Sequence, residues 1–233
     1  IVHGGGKAIT EAMNEAGLEA EWVQGLRYTD ERTLTIAEHT LVHKVNIPIC
    51  ETLKESGCYP TGLHSLSSCV LFAETLRLKG EEGRKIDVGL VGQITEVNGH
   101  LLKTFCEAGT IPVIAPIALD KGGGKLNVNA DSAAGNVAAV VEAEKLVVVS
   151  DTHGIREDIN NPESIFSSVD EKQIQELIDS GIITGAMLPK VEACMTALEA
   201  GVKKAHIIDG RIEHSLLLEI YTDKGIGTQL VKG

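Results

Sequence analysis

Short apolar runs rich in Val and Ile alternate along this chain with segments whose apolar residues recur at helical spacing, and that alternation constrains the fold most tightly. The runs are Val88–Val91, Ile111–Ala115, Leu146–Val149 and Ala205–Ile208, with a last short strand near the end. Helical patterns fall at Lys7–Ala16, around Leu101–Ala108, from Asp131, and at Asp170–Asp179, Pro189–Ala200 and His214–Tyr221. Strands apolar on both faces need cover on both, so the expected class is α/β with a parallel sheet between helices. At 233 residues, 43% of them hydrophobic, the chain can bury a full core as one large domain with two lobes.

Local signals refine the pattern. Gly17 stands where a C-cap belongs after the first helix, and Thr29 is expected to cap a second helix with Asp30 and Glu31 in its first turn. Leu34, Ala37, Leu41 and Val45 trace that helix's apolar face, and Pro48 should kink or restart it. Lys121-Gly122-Gly123-Gly124-Lys125 reads as a hairpin tip.

A formal charge of -12 disfavours nucleic-acid and anionic-membrane partners, and three Phe, three Tyr and one Trp leave few stacking platforms for single strands. Five cysteines without a C-x-x-C pair suit reduced thiols in a cytoplasmic enzyme, and no apolar run approaches the roughly 20 residues of a membrane span. The chain opens on Ile1-Val2-His3 directly before three glycines, the end of a strand without its beginning. An N-terminal segment is therefore expected to be missing.

Several motifs carry chemistry. His3-Gly4-Gly5-Gly6 combines a strand end with free N–H groups at a helix start, which suits an anion; a tight βα turn explains the same glycines. An esterase oxyanion loop is excluded by the absence of G-x-S-x-G, and neither a P-loop nor a G-x-G-x-x-G fingerprint occurs. Arg27, in a loop before a helix, could hold a carboxylate by a bidentate pair or lie solvated at the surface. Asn127, Asn129 and Asp131 form a polar cluster in which Asp131 is read as the N-cap of the next helix. Ser150 and Asp151 end an apolar strand, where ligands bind in open parallel sheets. Lys190 follows Pro189 at a helix start, against the dipole, a placement that nearby phosphates would offset.

The stretches IVHGGG, GLRYTDERTL, GLVGQI, IPVIAPI, LNVNADSAAG, VVVSDTHGI, GIITGAMLPKVEA and KAHIIDGRIEHSLLLEIYTDKGIGT together resemble the acetylglutamate kinases of the amino-acid kinase superfamily, in the family's order and across essentially the whole chain. NVNAD-x-A-A and G-x-M-x-P-K are the specific motifs; the glycine loop is weakly so. The resemblance implies a three-layer αβα sandwich with a mainly parallel central sheet, an acidic-substrate lobe over 1–125, a nucleotide lobe over 126–233, and a homodimer or ring of dimers. It implies ATP with Mg²⁺ phosphorylating the side-chain carboxylate of N-acetyl-L-glutamate, a step in arginine synthesis. Gly5 and Gly6 would approach the acylated substrate and the transferring phosphoryl group, Arg27 a substrate carboxylate, and Asn127 the substrate's amino-acid portion. Asp131 would orient the catalytic lysines, and Lys190 would stabilise the phosphoryl group in flight. Ser150, Asp151, Thr152, His153, Gly154, Ile155 and Arg156, with Ile182, Ile183 and Thr184, would bind the nucleotide. The C-terminal run resembles that of arginine-sensitive members, so Glu219 would hold L-arginine; helical spacing alone puts Glu219 on a wet face.

Three departures stand out. The family's K-x-G-G motif, with a second transition-state lysine, is absent; Gly62-Leu63 leads into His64-Ser65-Leu66-Ser67-Ser68 instead of a Ser-Gly loop; and Thr152-His153 replaces a Val-Pro type of pair. The first motivates a non-catalytic ligand sensor as an alternative. N-acetyl-aminoadipate is the alternative substrate. The chemistry itself needs no strong base, because a carboxylate is already nucleophilic; what it needs is positive charge and N–H groups where two anions meet.

Overall fold

A computed structural model describes residues 1–80, 85–158, 160–222 and 225–233. They form two compact units, Ile1–Ala133 and Ala134–Gly233. The division falls inside a helix, later than the 125/126 boundary expected from the sequence, because the strand that begins at Lys125 is paired within the first unit.

In the first unit, Val2 bridges Ile114 in parallel and leads through the glycines into α1 (Gly6–Glu15). Ile9 and Met13 are that helix's buried stripe, and Gly17 at φ 71° ends it as expected. A short hairpin, β1 (Trp22–Val23) and β2 (Leu26–Arg27), precedes α2 (Glu31–His39). The cap of α2 is Asp30, whose carboxylate accepts from Thr33 N; Thr29 is instead held in extended pairing with Gly89. Ala37 and Leu41 seal against Ile9, Met13, Ala115 and Ile117.

The helix does not break at Pro48. It passes through a π-helical segment, Thr40–Asn46, into α3 (Ile47–Glu55), where Pro48 sits in the first turn. The wider turn brings the fully buried Asn46 against two acceptors: its Nδ2 donates to Val113 O at 2.9 Å and to His3 Nε2 at 3.1 Å. His3, with Nδ1 on Gly4 O at 2.9 Å, is thus a structural residue, and burial lowers its pKa.

β3 (Pro60–Leu63) then pairs in parallel with β8 (Ile111–Ile114). Between them lie β4 (Leu71–Thr75), the pair β5 (Leu78–Lys79) and β6 (Lys85–Ile86), β7 (Val91–Val97) and α4 (Gly99–Glu107). After β8 come β9 (Ile117–Leu119) and β10 (Lys125–Val128), joined by the expected hairpin. β10, β7, β4 and β9 close into a small barrel. Gly92 on β7 makes closure possible: a Cβ there would lie 2.9 Å from both Ala73 and Leu126. Of the run expected at Val88–Val91, only Val91 belongs to β7, and Gly89 bridges Thr29.

α5 (Ala130–Val140) leads into the second unit. Its sheet is ordered β11 (Lys145–Ser150), β13 (Lys204–Asp209), β14 (Thr228–Val231), β12 (Ser168–Asp170), with parallel pairing of β11 to β13 and of β12 to β14. α6 (Glu171–Asp179), fixed by a capping box between Asp170 and Gln173, packs on β12. α7 (Leu188–Glu199) lays Val191, Cys194, Ala197 and Leu198 on Leu146, Val148, Ala205 and Ile207. Residues 206 and 208 point the other way on β13, toward α8 (Ser215–Tyr221). β13 is therefore buried on both faces, as its sequence required.

Candidate functional site

The glycine loop and Arg27 come together. A cavity of about 500 Å³ is lined by Gly4, Gly5, Gly6, Lys7, Ala8 and Glu11. No side chain caps α1, so its first N–H groups have no side-chain partner, an arrangement that suits an anion. Gly5 lacks a side chain for a packing reason too, since a Cβ would lie 2.6 Å from Leu41 Cδ2.

Arg27 is not at the surface. Only 6% exposed, it donates from Nη2 to Gly6 O at 3.0 Å and Thr10 Oγ1 at 2.7 Å, and its Nη1 is 3.3 Å from Met13 Sδ. The Trp22 ring stacks on the guanidinium, 4.6 Å from centroid to Cζ. Burial lowers the Arg27 pKa. No carboxylate among the described residues pairs with it. A buried cation held by neutral acceptors calls for an anion from outside.

Asn127, on β10, donates to Thr29 Oγ1 at 3.3 Å. Asn129, not Asp131, caps α5: Ser132 N donates to Asn129 Oδ1 at 2.9 Å. Ala130 already begins the helix, so Asp131 lies in the first turn and its carboxylate is not the cap.

In the second unit, the segment from Ser150 to Arg156 leaves the carboxyl end of β11. Asp151 is exposed, while Thr152, His153 and Arg156 are half-buried. Ile155 is a core residue whose N–H donates to Thr228 Oγ1 at 2.8 Å, and Gly154, at φ 88°, lies where a Cβ would meet Thr228. Ile183 is also core, so it and Ile155 can offer a ligand only backbone; Ile182 is half-buried and Thr184 exposed. Lys190 sits in the first turn of α7, half-buried.

Glu219 corrects the expectation of a wet face. Its side chain is 4% exposed; Oε1 lies 2.7 Å from His206 Nδ1, and Oε2 accepts from Ile226 N at 2.8 Å and Gly227 N at 2.9 Å. Burial opposes its ionisation, but these donors outweigh that and the net pKa shift is downward. Both residues line a cavity of about 530 Å³ that also touches Lys145, Lys204, Gly225 and Gln229. Asp223 and Lys224, within the family-like C-terminal stretch, lie outside the described residues.

Asp209, Arg211, Trp22 and Thr10 escaped the sequence reading. Asp209 had a usable signal: it ends an apolar strand, as Ser150 does.

The chain belongs to the amino acid kinase family, whose family model matches residues 1–209. Within that family it is similar to acetylglutamate kinases. It is 44% identical over 230 residues to the acetylglutamate kinase of Methanothrix thermoacetophila, covering 99% of this chain and 80% of that one. It is 44% identical over 236 residues to that of Methanocaldococcus jannaschii, covering 100% and 79%. Among solved structures, smu.665 of Streptococcus mutans superposes with a TM-score of 0.81 at 29% identity, over 99% of this chain and 84% of that one. The α/β fold with parallel strands is that of the amino-acid kinases.

Proposed function

We propose that this chain transfers the terminal phosphoryl group of ATP to the side-chain carboxylate of N-acetyl-L-glutamate, giving ADP and N-acetyl-L-glutamyl 5-phosphate, a step of arginine synthesis. The observation that carries the reading is Arg27: a buried guanidinium without a carboxylate partner among the described residues, beside a glycine loop at an uncapped helix start. Arg27 binds the carboxylate of the substrate that does not react. Asn127 and the N–H groups of Gly5 and Gly6 orient the acylated end and the reacting carboxylate. A carboxylate oxygen then attacks the γ-phosphorus as the bond to ADP breaks, with Lys190 and Asp131 organising the charge of the group in flight. Ser150 to Arg156 and Ile182 to Thr184 receive the nucleotide. Among the described residues no three His, Cys, Asp or Glu side chains are grouped to hold a metal. Mg²⁺ would come with the nucleotide received by Ser150 to Arg156 and would supply positive charge to the group in transfer.

ADP release by the full-length protein, measured with N-acetyl-L-glutamate, N-acetyl-aminoadipate and free L-glutamate, tests the assignment. Turnover should be fastest with the first. Faster turnover of aminoadipate would reassign the substrate, and none with any acid would favour a ligand sensor.

L-Arginine is proposed as an inhibitor bound in the Glu219 cavity. The lining offers the Glu219 carboxylate and Lys145 beside Lys204 for a ligand carboxylate. Inhibition of the wild type that is weakened by Lys204→Ala is the expected result. The assembly is a homodimer or ring of dimers by resemblance, a mass that light scattering decides. The cytoplasm is the proposed location, with none of the five cysteines in a disulfide and no described helix long and apolar enough to cross a membrane.

A further inference from the structure

Asp209 ends β13 in register with Ser150 at the end of β11, yet its side chain is fully buried at a strand end where ligands are commonly bound. Its carboxylate is surrounded by donors. Oδ1 accepts from Arg211 N and Arg211 Nε, each at 2.9 Å; Oδ2 accepts from Arg211 Nη2 at 2.7 Å and lies 2.8 Å from His153 Nδ1. With the proton on Nδ1, His153 donates to Asp209 and presents Nε2 to Arg211 Nη2, 3.5 Å away. The three side chains therefore close a ring.

A carboxylate has about four lone-pair sites, and here each is matched by a donor of the protein itself. Asp209 has no capacity left for a ligand. Its two partners differ: the His153 side chain is 43% exposed and that of Arg211 60%, and the charge of Asp151 acts on Arg211. At its other end, the segment from Ser150 to Arg156 is pinned by Gly154 and Ile155 against Thr228. Exposed Asp151 and half-buried Thr152 thus lie on a loop fixed at two points, one through backbone and one through Asp209.

We propose that Asp209 is a positioning residue for nucleotide binding: through His153 and Arg211 it holds the Ser150–Arg156 loop in the shape that receives ATP and fixes a guanidinium edge beside it. The proposal rests on that loop being the nucleotide site. It assigns Asp209 no contact with the nucleotide.

The test is calorimetric titration of ADP into the full-length protein and into Asp209→Asn, His153→Ala, Arg211→Ala and the His153→Ala/Arg211→Ala double variant. Asp209→Asn should weaken ADP binding about tenfold, and each exposed variant by a factor of about three to ten. Because one ring is broken in every case, the double variant should lose little more than either single one. The KM for ATP should rise in step, with the KM for the acid substrate unmoved. If Asp209→Asn fails to fold, the exposed variants still decide. ADP binding by His153→Ala and Arg211→Ala at the wild-type level would overturn the proposal, and so would fully additive losses, which mark two independent ligand contacts. Failure of the wild type to bind ADP would instead remove the nucleotide assignment of the loop.

Discussion

Glu219 Oε1 and His206 Nδ1 lie 2.7 Å apart with both side chains almost sealed from solvent, so the last helix is tied to the centre of its sheet by a carboxylate and not by its leucines. Leu216, Leu217 and Leu218 are all at least 36% exposed. Removing the carboxylate leaves two N–H groups and a ring nitrogen unmatched, and a buried donor left without its acceptor costs about 1–3 kcal/mol. Urea unfolding of Glu219→Ala at neutral pH should register a loss of that order.

The same carboxylate predicts a pH dependence. Its pKa in the folded chain lies below the ordinary 4.5, so its contribution is complete above that value and is lost as pH falls through the folded pKa. Asp209, lowered from 3.8 to about 2, acts in the same sense further down. The stability gap between wild type and Glu219→Ala should therefore shrink in acid below pH 4.5. A gap constant down to the acid transition would contradict the assignment.

Trp22 is the only tryptophan of the chain and stacks on Arg27, which makes it a reporter of what Arg27 binds. Titrating N-acetyl-L-glutamate should change its emission saturably, whereas ADP alone should not. In Arg27→Lys the KM for the acid should rise about tenfold or more, because an ammonium cannot reproduce the planar fork that meets a carboxylate. A rise confined to the KM for ATP would move Arg27 out of the acid site.

Asn129 and Asp131 separate two roles that the sequence merges. Asn129→Ala should lower stability by about 1 kcal/mol through loss of the cap. Asp131→Asn should leave the melting temperature nearly unchanged and reduce kcat by a factor of about a hundred, as loss of one charge-organising contact does. Wild-type turnover in Asp131→Asn would end its catalytic assignment.

Lys190→Met is expected to lower kcat by about 3 kcal/mol of barrier while the KM for the acid changes little. Activity at the wild-type level would leave Lys190 an ordinary helix-start residue.

Much of this was legible in the chain itself. Strands made almost wholly of apolar residues, such as Ala205–Ile208 with His206 as its one polar member, announce two-sided burial, and Gly17 or Asp170 mark helix ends by local backbone chemistry that needs no tertiary context. The barrel was not legible, because β4 and β7 are half-buried, carry polar residues, and are interrupted by a bulge at Phe72/Ala73. The burial of Arg27 was equally hidden: its partners Gly6, Thr10 and Met13 lie on another element and are neutral, so no opposite charge in the sequence points to them. Glu219 misled for the converse reason, since a carboxylate among exposed leucines follows surface periodicity while its partners come from a strand and a distant turn.

The π-helical segment Thr40–Asn46 makes the length of this chain a structural parameter there. Each residue removed from a helix turns everything beyond it by about 100°. A one-residue deletion anywhere between Thr40 and Asn46 would relax the segment to ordinary α-helix and swing Asn46 away from His3 and Val113 or Cys50 out of its packing, whatever residue was lost. Substitutions on the exposed His43 and Lys44 should be tolerated where deletions of the same residues are not, so this stretch would evolve in composition while its residue count stays constant.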